Sequence, residues 1–392
     1  MKPIALMLLC LGLTSIGALL IVAMNTVAPL IMDELSIPPS IMGFAIAAVT
    51  LNAFLSSPLI GVLIDRFGPV RVGVAGLLTM SLATLLTSMA SSAGWLVATR
   101  LLLGLVSPAL WPSCAKLVSL YVPQSMVGVA TALYDAGSIV GLAASYVIVG
   151  FAEASWRRSL VYTSAMGIAY AVLYAVAIRR LWGYHQADVH EERVGTRTLR
   201  SSLGTVALLL AGFFLTLQTW GLLISWTSTF FVKELGLKYQ DLVLYMVLVA
   251  ILGTCAEVIA GLISDRMGGL RGRKFVIAVG QGVTTAALLG LYAVPERSAS
   301  LLLTLAAFVS YKFATVTFWA VINDVVPPAI VGRVSGLYSM SAQLALFTSP
   351  VLNGFLIEVA GSLRIGFLYS AITLTISTAA YLALKPMEGA RS

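Results

Sequence analysis

Residues 61–71 read GVLIDRFGPVR, and residues 261–271 read GLISDRMGGLR. Gly61, Asp65, Arg66, Gly68 and Arg71 of the first stretch recur in the second as Gly261, Asp265, Arg266, Gly268 and Arg271. A second pair stands at a slightly different offset: YVPQSMVGVATALY from Tyr121 and VVPPAIVGRVSGLY from Val325, sharing Pro123/Pro327, Gly128/Gly332 and Tyr134/Tyr338. Two patterns repeated in the same order, each at the end of an apolar run, predict a chain built as two similar halves.

Working outward from these junctions, apolar runs fill the sequence from end to end. Of 392 residues 59% are hydrophobic and 10% charged, and the mean hydropathy is +0.97. A water-facing surface usually takes roughly 25% charged residues, so this exterior is suited to lipid. Twelve runs are long enough to cross a hydrocarbon layer of about 30 Å. They lie near 4–31, 41–64, 72–91, 94–120, 127–151 and 159–178, then near 203–231, 241–264, 274–294, 299–322, 330–357 and 362–384. The first runs on through Asn25 and Pro29 without a small-residue cleavage pattern, so it is read as a retained span and not a signal peptide. The expected fold is an all-α membrane protein: an N-terminal six-helix bundle over 1–180, a cytoplasmic linker over 181–202 and a C-terminal six-helix bundle over 203–392.

Charge between the spans sets the expected orientation. With the N-terminus cytoplasmic, fifteen of the 24 Lys and Arg residues fall on that side, six fall opposite, and Arg100, Lys116 and Lys312 lie within spans. Both termini are therefore expected inside, in a cytoplasmic (inner) membrane, and the +8 net charge is a matter of topology. A nucleic-acid partner is not expected, since no soluble basic face exists to carry it. His185 and His190 share the polar linker without cysteine support, so neither metal nor cofactor is expected. Cys10, Cys114 and Cys255 fall within spans and are read as small packing residues.

The junction chemistry is local. Glycine allows a neighbouring helix to approach, Asp65 at a helix end can accept from a neighbouring helix N-terminus, and Arg66 and Arg71 face anionic headgroups. Such a contact can hold the halves closed on the cytoplasmic side. The alternative is a tight turn with positive-inside charge; two copies at matched positions favour the gating brace.

GxxxDRxGxxR between spans two and three, its weaker copy between eight and nine, and RLLLG at Arg100–Gly104 resemble the signature motifs of the major facilitator superfamily over essentially the whole chain. The run RLLLGLVSPALWPSCAKLVSLYVP from Arg100 is similar to the fourth helix of the anion:cation symporters within it. That resemblance implies alternating access and transport of sugar acids or similar organic anions with a proton or sodium ion. The acidic residue those symporters carry three positions after the motif glycine is Ser107 here, so their coupling chemistry does not carry over at that position.

Ionisable groups inside spans must be paired or line a hydrated path, because one at mid-membrane costs about 2.5–3.5 kcal/mol even on the lenient insertion scale. Arg100 can attract an anion or answer a proton-carrying carboxylate; the alternative is an interhelical pair. Lys116 and Asp135 lie at similar depth, as a gate pair or a permanent one. Glu257, about two turns from Asp265, can titrate or hydrogen-bond permanently to span nine or ten. Lys312 can join Arg100 as a two-sided clamp for a carboxylate; if instead it pairs with Glu257, neither of those two binds substrate. Asn25, Gln218, Trp220, Trp226, Trp319 and Gln343 sit on spans that line the cavity in the resembled fold, with plain packing as the alternative for each aromatic. Gly104, Pro108 and Pro112 in span four and Pro350 in span eleven are expected bending points.

Three classes of function compete. The first is a secondary transporter, monomeric and lipid-embedded, moving a small organic anion with a proton or sodium ion. The second is a proton-coupled exporter of amphipathic or cationic compounds, with Glu257 or Asp135 as its central acid. The third, a receptor or scaffold, would need a recognition domain that these residues do not supply. No GxxxxGK[ST] loop appears for an ATP-driven pump, and no nucleophile, base and orienting group assemble into an enzyme.

Overall fold

The computed structural model describes residues 2–123, 126–152, 155–182, 203–327 and 331–387; most of the 181–202 linker, with His185 and His190, lies outside the described residues. Among the described residues sixteen α-helices follow one another: α1 (Lys2–Thr26), α2 (Ala28–Leu35), α3 (Pro39–Phe67), α4 (Pro69–Ser88), α5 (Ala93–Val106), α6 (Leu110–Tyr121), α7 (Val127–Asp135), α8 (Gly137–Phe151), α9 (Trp156–Trp182), α10 (Leu203–Thr229), α11 (Tyr239–Met267), α12 (Gly269–Ala293), α13 (Arg297–Thr315), α14 (Phe318–Val325), α15 (Val331–Ala360) and α16 (Arg364–Ala383). Among the described residues there is no strand. Among the described residues twelve helical stretches are long and apolar enough to cross a membrane, and they match the twelve runs read from sequence. A helix satisfies its own backbone, which is why apolar runs of this length take that form in lipid.

Both copies of the junction end a helix on a glycine. Gly68, at φ 84° and ψ 152°, gives its N–H to Ile64 O and separates α3 from α4; Gly268, at φ 71° and ψ 147°, gives its N–H to Ser264 O and separates α11 from α12. That region is essentially open to glycine alone, and a side chain there costs about 1–3 kcal/mol. Gly68→Ala and Gly268→Ala should therefore each lower the thermal midpoint in detergent. Gly61→Ala should leave it unchanged, since a Cβ at Gly61 meets nothing within 4 Å. Equal losses at Gly61 and Gly68 would mean that the backbone conformation is not what the motif protects. The open space at Gly61 also corrects its expected role: it admits no close helix there, and at Gly261 a Cβ would make ordinary contact with Val316 at 3.7 Å. Close approach occurs elsewhere, as at Gly104, where a Cβ would fall 2.2 Å from Val49 O.

The chain divides into two compact units, Met1–Glu191 with Thr227–Ala250, and Glu192–Trp226 with Ile251–Ser392. In the first, α4 packs against α5 and α9; in the second, α12 packs against α13 and α16. The third span of each unit thus touches its fourth and sixth, and the sequence repeat is a packing repeat. By packing, the end of α10 and the start of α11 group with the first unit although they lie beyond the 203 boundary. There the hydroxyls of Ser228 and Tyr239 both donate to Thr26 O, Tyr239 at 2.8 Å, and Lys233 pairs with Asp33.

Among the described residues four of the runs read as spans are interrupted: the first at Val27, the fourth at Ser107–Ala109, the fifth at Ala136 and the tenth at Val316–Thr317. Span four breaks at Ser107–Ala109, a single 3₁₀ turn holding Pro108, as expected. Span ten breaks between α13 and α14 without any proline. There the hydroxyl of Thr317 bonds back to Ala314 O at 2.8 Å, a competition with the helical ladder that bends helices. Span eleven differs from expectation: α15 runs unbroken through Pro350. Cys10 and Cys114 are buried as packing residues, whereas Cys255 is exposed, its helix turning that position away from the core.

Candidate functional site

Among the described residues each unit buries one basic side chain within a span. In the first unit α5 carries Arg100, whose residue is 2% exposed. One guanidinium nitrogen, Nη2, donates to Ile21 O of α1 at 2.8 Å, Nε has no acceptor, and among the described residues the group has no carboxylate partner. Burying a charge is costly unless it is paired, so this guanidinium has donors and charge to spare for an anion. Asn25, four residues along α1 from Ile21, is buried as well.

Several other charges of this unit are engaged. Lys116 of α6 reaches Asp65 at 2.6 Å, so the cation read as a partner for Asp135 meets the junction aspartate. Asp65 accepts there from an ammonium, where a helix N-terminus had been expected; Lys116 lies on a helix packed beside α3. Asp135 ends α7 and is exposed. Beyond α1, Glu34 accepts from the Trp156 indole at 2.6 Å and from Arg157 at 2.9 Å, and these two bonds hold its carboxyl below the usual carboxylate range. Arg157 also lies over the Trp156 ring at 4.1 Å and caps Ser88 O at 2.8 Å.

In the second unit the buried cation is answered. Lys312 of α13 stands 2.6 Å from Glu257 Oε1 of α11, with side-chain exposures of 5% and 16%. The Thr315 hydroxyl donates to the same oxygen at 2.7 Å. The ammonium lies 5.5 Å from the Trp220 ring centroid, and Trp220 stacks on Tyr311 at 5.4 Å. A Cβ at Gly253 would meet the Lys312 stem at 3.4 Å, so α11 offers a bare surface along which that stem lies. Of the two open readings of Lys312, the geometry is that of the ion pair.

The neutral candidates divide. Gln218 is wholly buried, donating to Thr348 at 2.7 Å and accepting from Tyr369 at 3.4 Å; it ties α10 to α15 and α16. Trp226 is buried with its indole N–H on Pro350 O at 3.3 Å, a packing role. Trp319 is 51% exposed and sets its edge against Phe213 and Tyr338. Gln343 is half-buried on α15. At the second junction Arg273 donates to Asp265 and Ser264, each at 2.7 Å, and lies 3.4 Å from Asp324.

Sequence reasoning missed Arg273, Asp324 and Thr315. Asp324 was visible as an acid next to the second Pro-Gly-Tyr pattern, and Thr315 as a hydroxyl one helical turn after Lys312; nothing in the sequence linked either to its partner. Among the described residues no three His, Cys, Asp or Glu side chains lie together as metal ligands.

Comparison with known proteins places this arrangement. The family model described as the Major Facilitator Superfamily matches residues 4–350. The chain is 24% identical to a probable sulfoacetate transporter, SauU, of Cupriavidus necator over 93% of its own length and 90% of that protein's. It is 25% identical to the hexuronate transporter of Bacillus subtilis, covering 94% and 91%, and 22% identical to the probable galactarate/D-glucarate transporter GarP of Escherichia coli, covering 90% and 87%. In three dimensions it matches the crystal structure of a bacterial homolog to the human lysosomal transporter Spinster, in an inward-facing and unoccupied conformation. The TM-score is 0.79 at 15% identity, over 97% of this chain and 96% of that one.

Proposed function

Because the chain belongs to the Major Facilitator Superfamily, and is thus a multi-pass membrane transporter of a small molecule and not an enzyme, we propose that its cargo is a small organic anion. The anion moves by alternating access across the cytoplasmic membrane, with both termini inside, coupled to a proton or another cation. The observation that carries this reading is Arg100: a guanidinium at 2% exposure with an unused donor and no carboxylate partner among the described residues. An incoming carboxylate or sulfonate supplies the missing counter-charge through a charge-assisted, two-toothed hydrogen bond. Asn25 offers a neutral polar group on the neighbouring α1. Relatives named for sulfoacetate, hexuronate and galactarate or glucarate support the class of cargo. The junction residues Asp65, Arg66, Asp265 and Arg266 are assigned to gating.

One relative, multidrug resistance protein 1 of Bacillus subtilis at 23% identity, favours the second reading, a proton-coupled exporter of cationic or amphipathic compounds. Such an exporter needs an acid free to meet its cargo, and Glu257 is already neutralised by Lys312. A thermal-shift panel in detergent separates the two, using glucuronate, galactarate, sulfoacetate and an alkyl monocarboxylate against cationic dyes. An acid at about a hundredfold over its Kd adds about 2.7 kcal/mol of stability. Shifts with acids alone are expected; shifts with the dyes alone would replace the anion reading by the exporter.

A further inference from the structure

We infer that the cargo carries a single negative charge: an acid with one carboxylate or sulfonate and neutral groups along the rest of its length, and not a dicarboxylate or a sulfocarboxylate. The inference rests on the reading of the chain as an anion transporter and narrows the class of anion.

Among the described residues the buried basic side chains are Arg100 in the first unit and Lys312 in the second. What each of them meets decides what it has left for a ligand. Lys312 meets a full opposite charge, Glu257 Oε1 at 2.6 Å, and the Thr315 hydroxyl donates to that same oxygen at 2.7 Å, so the pair sums to zero. Arg100 meets a neutral group, the Ile21 carbonyl at 2.8 Å. A carbonyl dipole satisfies a donor but cancels no charge, and Nε has no acceptor at all. The first unit therefore brings one uncompensated positive charge into its interior, and the buried pair of the second brings none.

The cations nearest to altering this count are already answered. Lys116, the other base within a span of the first unit, is held by Asp65 at 2.6 Å, and the exposure of that aspartate puts the pair within reach of water. In the second unit Arg273 lies against two acids, Asp265 at 2.7 Å and Asp324 at 3.4 Å. Neither Lys116 nor Arg273 supplies a second positive charge for a ligand. Asp135, the remaining acid read within a span of the first unit, is exposed and cancels nothing inside.

The charge left over sets the valence of what it can hold. A guanidinium fork takes one carboxylate or sulfonate through two parallel N–H···O bonds, and with that group in place the interior of the first unit sums to zero. A second ionised group on the same molecule finds no counter-charge there, and an ion without one is costly away from water. It must keep its own water, which stops the site from enclosing it, or give that water up unpaired. Neutral hydroxyl or alkyl groups carry no such burden. A diacid that has taken up one proton is itself a monoanion and obeys the same count.

Three matched pairs of acids test the count, each pair differing only in whether the far end is charged: gluconate and glucarate, isethionate and sulfoacetate, butyrate and succinate. Isothermal titration of the purified full-length protein in neutral buffer is expected to show, in every pair that binds, the monoacid held about tenfold or more tightly than its partner, the cost of one unpaired ionised group. Arg100→Met extends the same arithmetic. A monoacid in that variant and a diacid in the wild type each leave one negative charge unanswered, so the variant is expected to hold the monoacid about as weakly as the wild type holds the diacid. A diacid bound as tightly as its monoacid partner overturns the inference and leaves the anion reading standing. Wild-type affinity for the monoacid in Arg100→Met also overturns it, because the charge that was counted is then not the one that meets the cargo. Should none of the six acids bind the wild type, the anion reading falls and this inference falls with it.

Discussion

Arg100→Met is expected to weaken binding of a carboxylate substrate by about ten- to a hundredfold while leaving the protein as stable as the wild type, or more so. The two halves of this result have one cause. A charge-assisted hydrogen bond in a partly dehydrated site contributes roughly 1.5–3 kcal/mol, and 1.4 kcal/mol is a factor of ten. The same guanidinium, before substrate arrives, is a buried charge whose one described protein contact is the carbonyl of Ile21. Replacing it with an unbranched apolar side chain removes that desolvation burden, the exchange of stability for function seen at binding sites. Arg100→Lys should recover part of the affinity, since the charge returns without the planar fork. A neutral amide of the same acid should bind wild type and Arg100→Met alike. Isothermal titration with glucuronate and glucuronamide, beside thermal melts, makes the comparison. A variant that melts far below the wild type yet binds the acid as tightly would make Arg100 a structural residue and leave the anion unassigned.

The spans and the repeat were legible because they are one-dimensional. Apolar run length is set by bilayer thickness, and the glycine at 68 and 268 is required by a backbone conformation that no other residue takes up easily. Depth along a helix follows from residue number at 1.5 Å per residue, which is how Arg100, Lys116, Glu257 and Lys312 could be named. Direction around the helix does not follow, because it depends on which neighbour packs where. For that reason the approach of Lys116 to Asp65 went unread, and Lys312 could be offered both as clamp and as ion-pair partner. The break in span ten escaped notice for a similar reason. Pro108 in span four announces its own bend, whereas Thr317 bends span ten by a hydroxyl bond that threonine makes in some helices and not in others. The grouping of Thr227–Ala250 with the first unit was equally out of reach, since it rests on the contacts of Ser228, Lys233 and Tyr239 with residues two hundred positions away.

The pair that sequence left open also yields the second large effect. Lys312→Met should lower thermal stability steeply, because it strands the Glu257 carboxylate where Thr315 is its one remaining described donor. Removing one partner of a buried ion pair typically costs about 3–5 kcal/mol. The 16% exposure of Glu257 places the expected loss toward the lower end of that range, since some water still reaches the group. Glu257→Gln strands the less exposed partner, the ammonium at 5%, and Trp220 at 5.5 Å offers it a ring face but no counter-charge, so its loss should be at least as large. The double variant Lys312→Met/Glu257→Gln should return close to the wild-type melting point. A neutral amide still accepts from Thr315, and methionine fills the lysine stem's place along Gly253, a replacement that is often neutral or stabilising for buried pairs. Melting curves of the four proteins close the cycle. Additive losses, with the double variant worse than either single one, would show that the two side chains stabilise the unit through separate contacts and that their 2.6 Å approach is incidental.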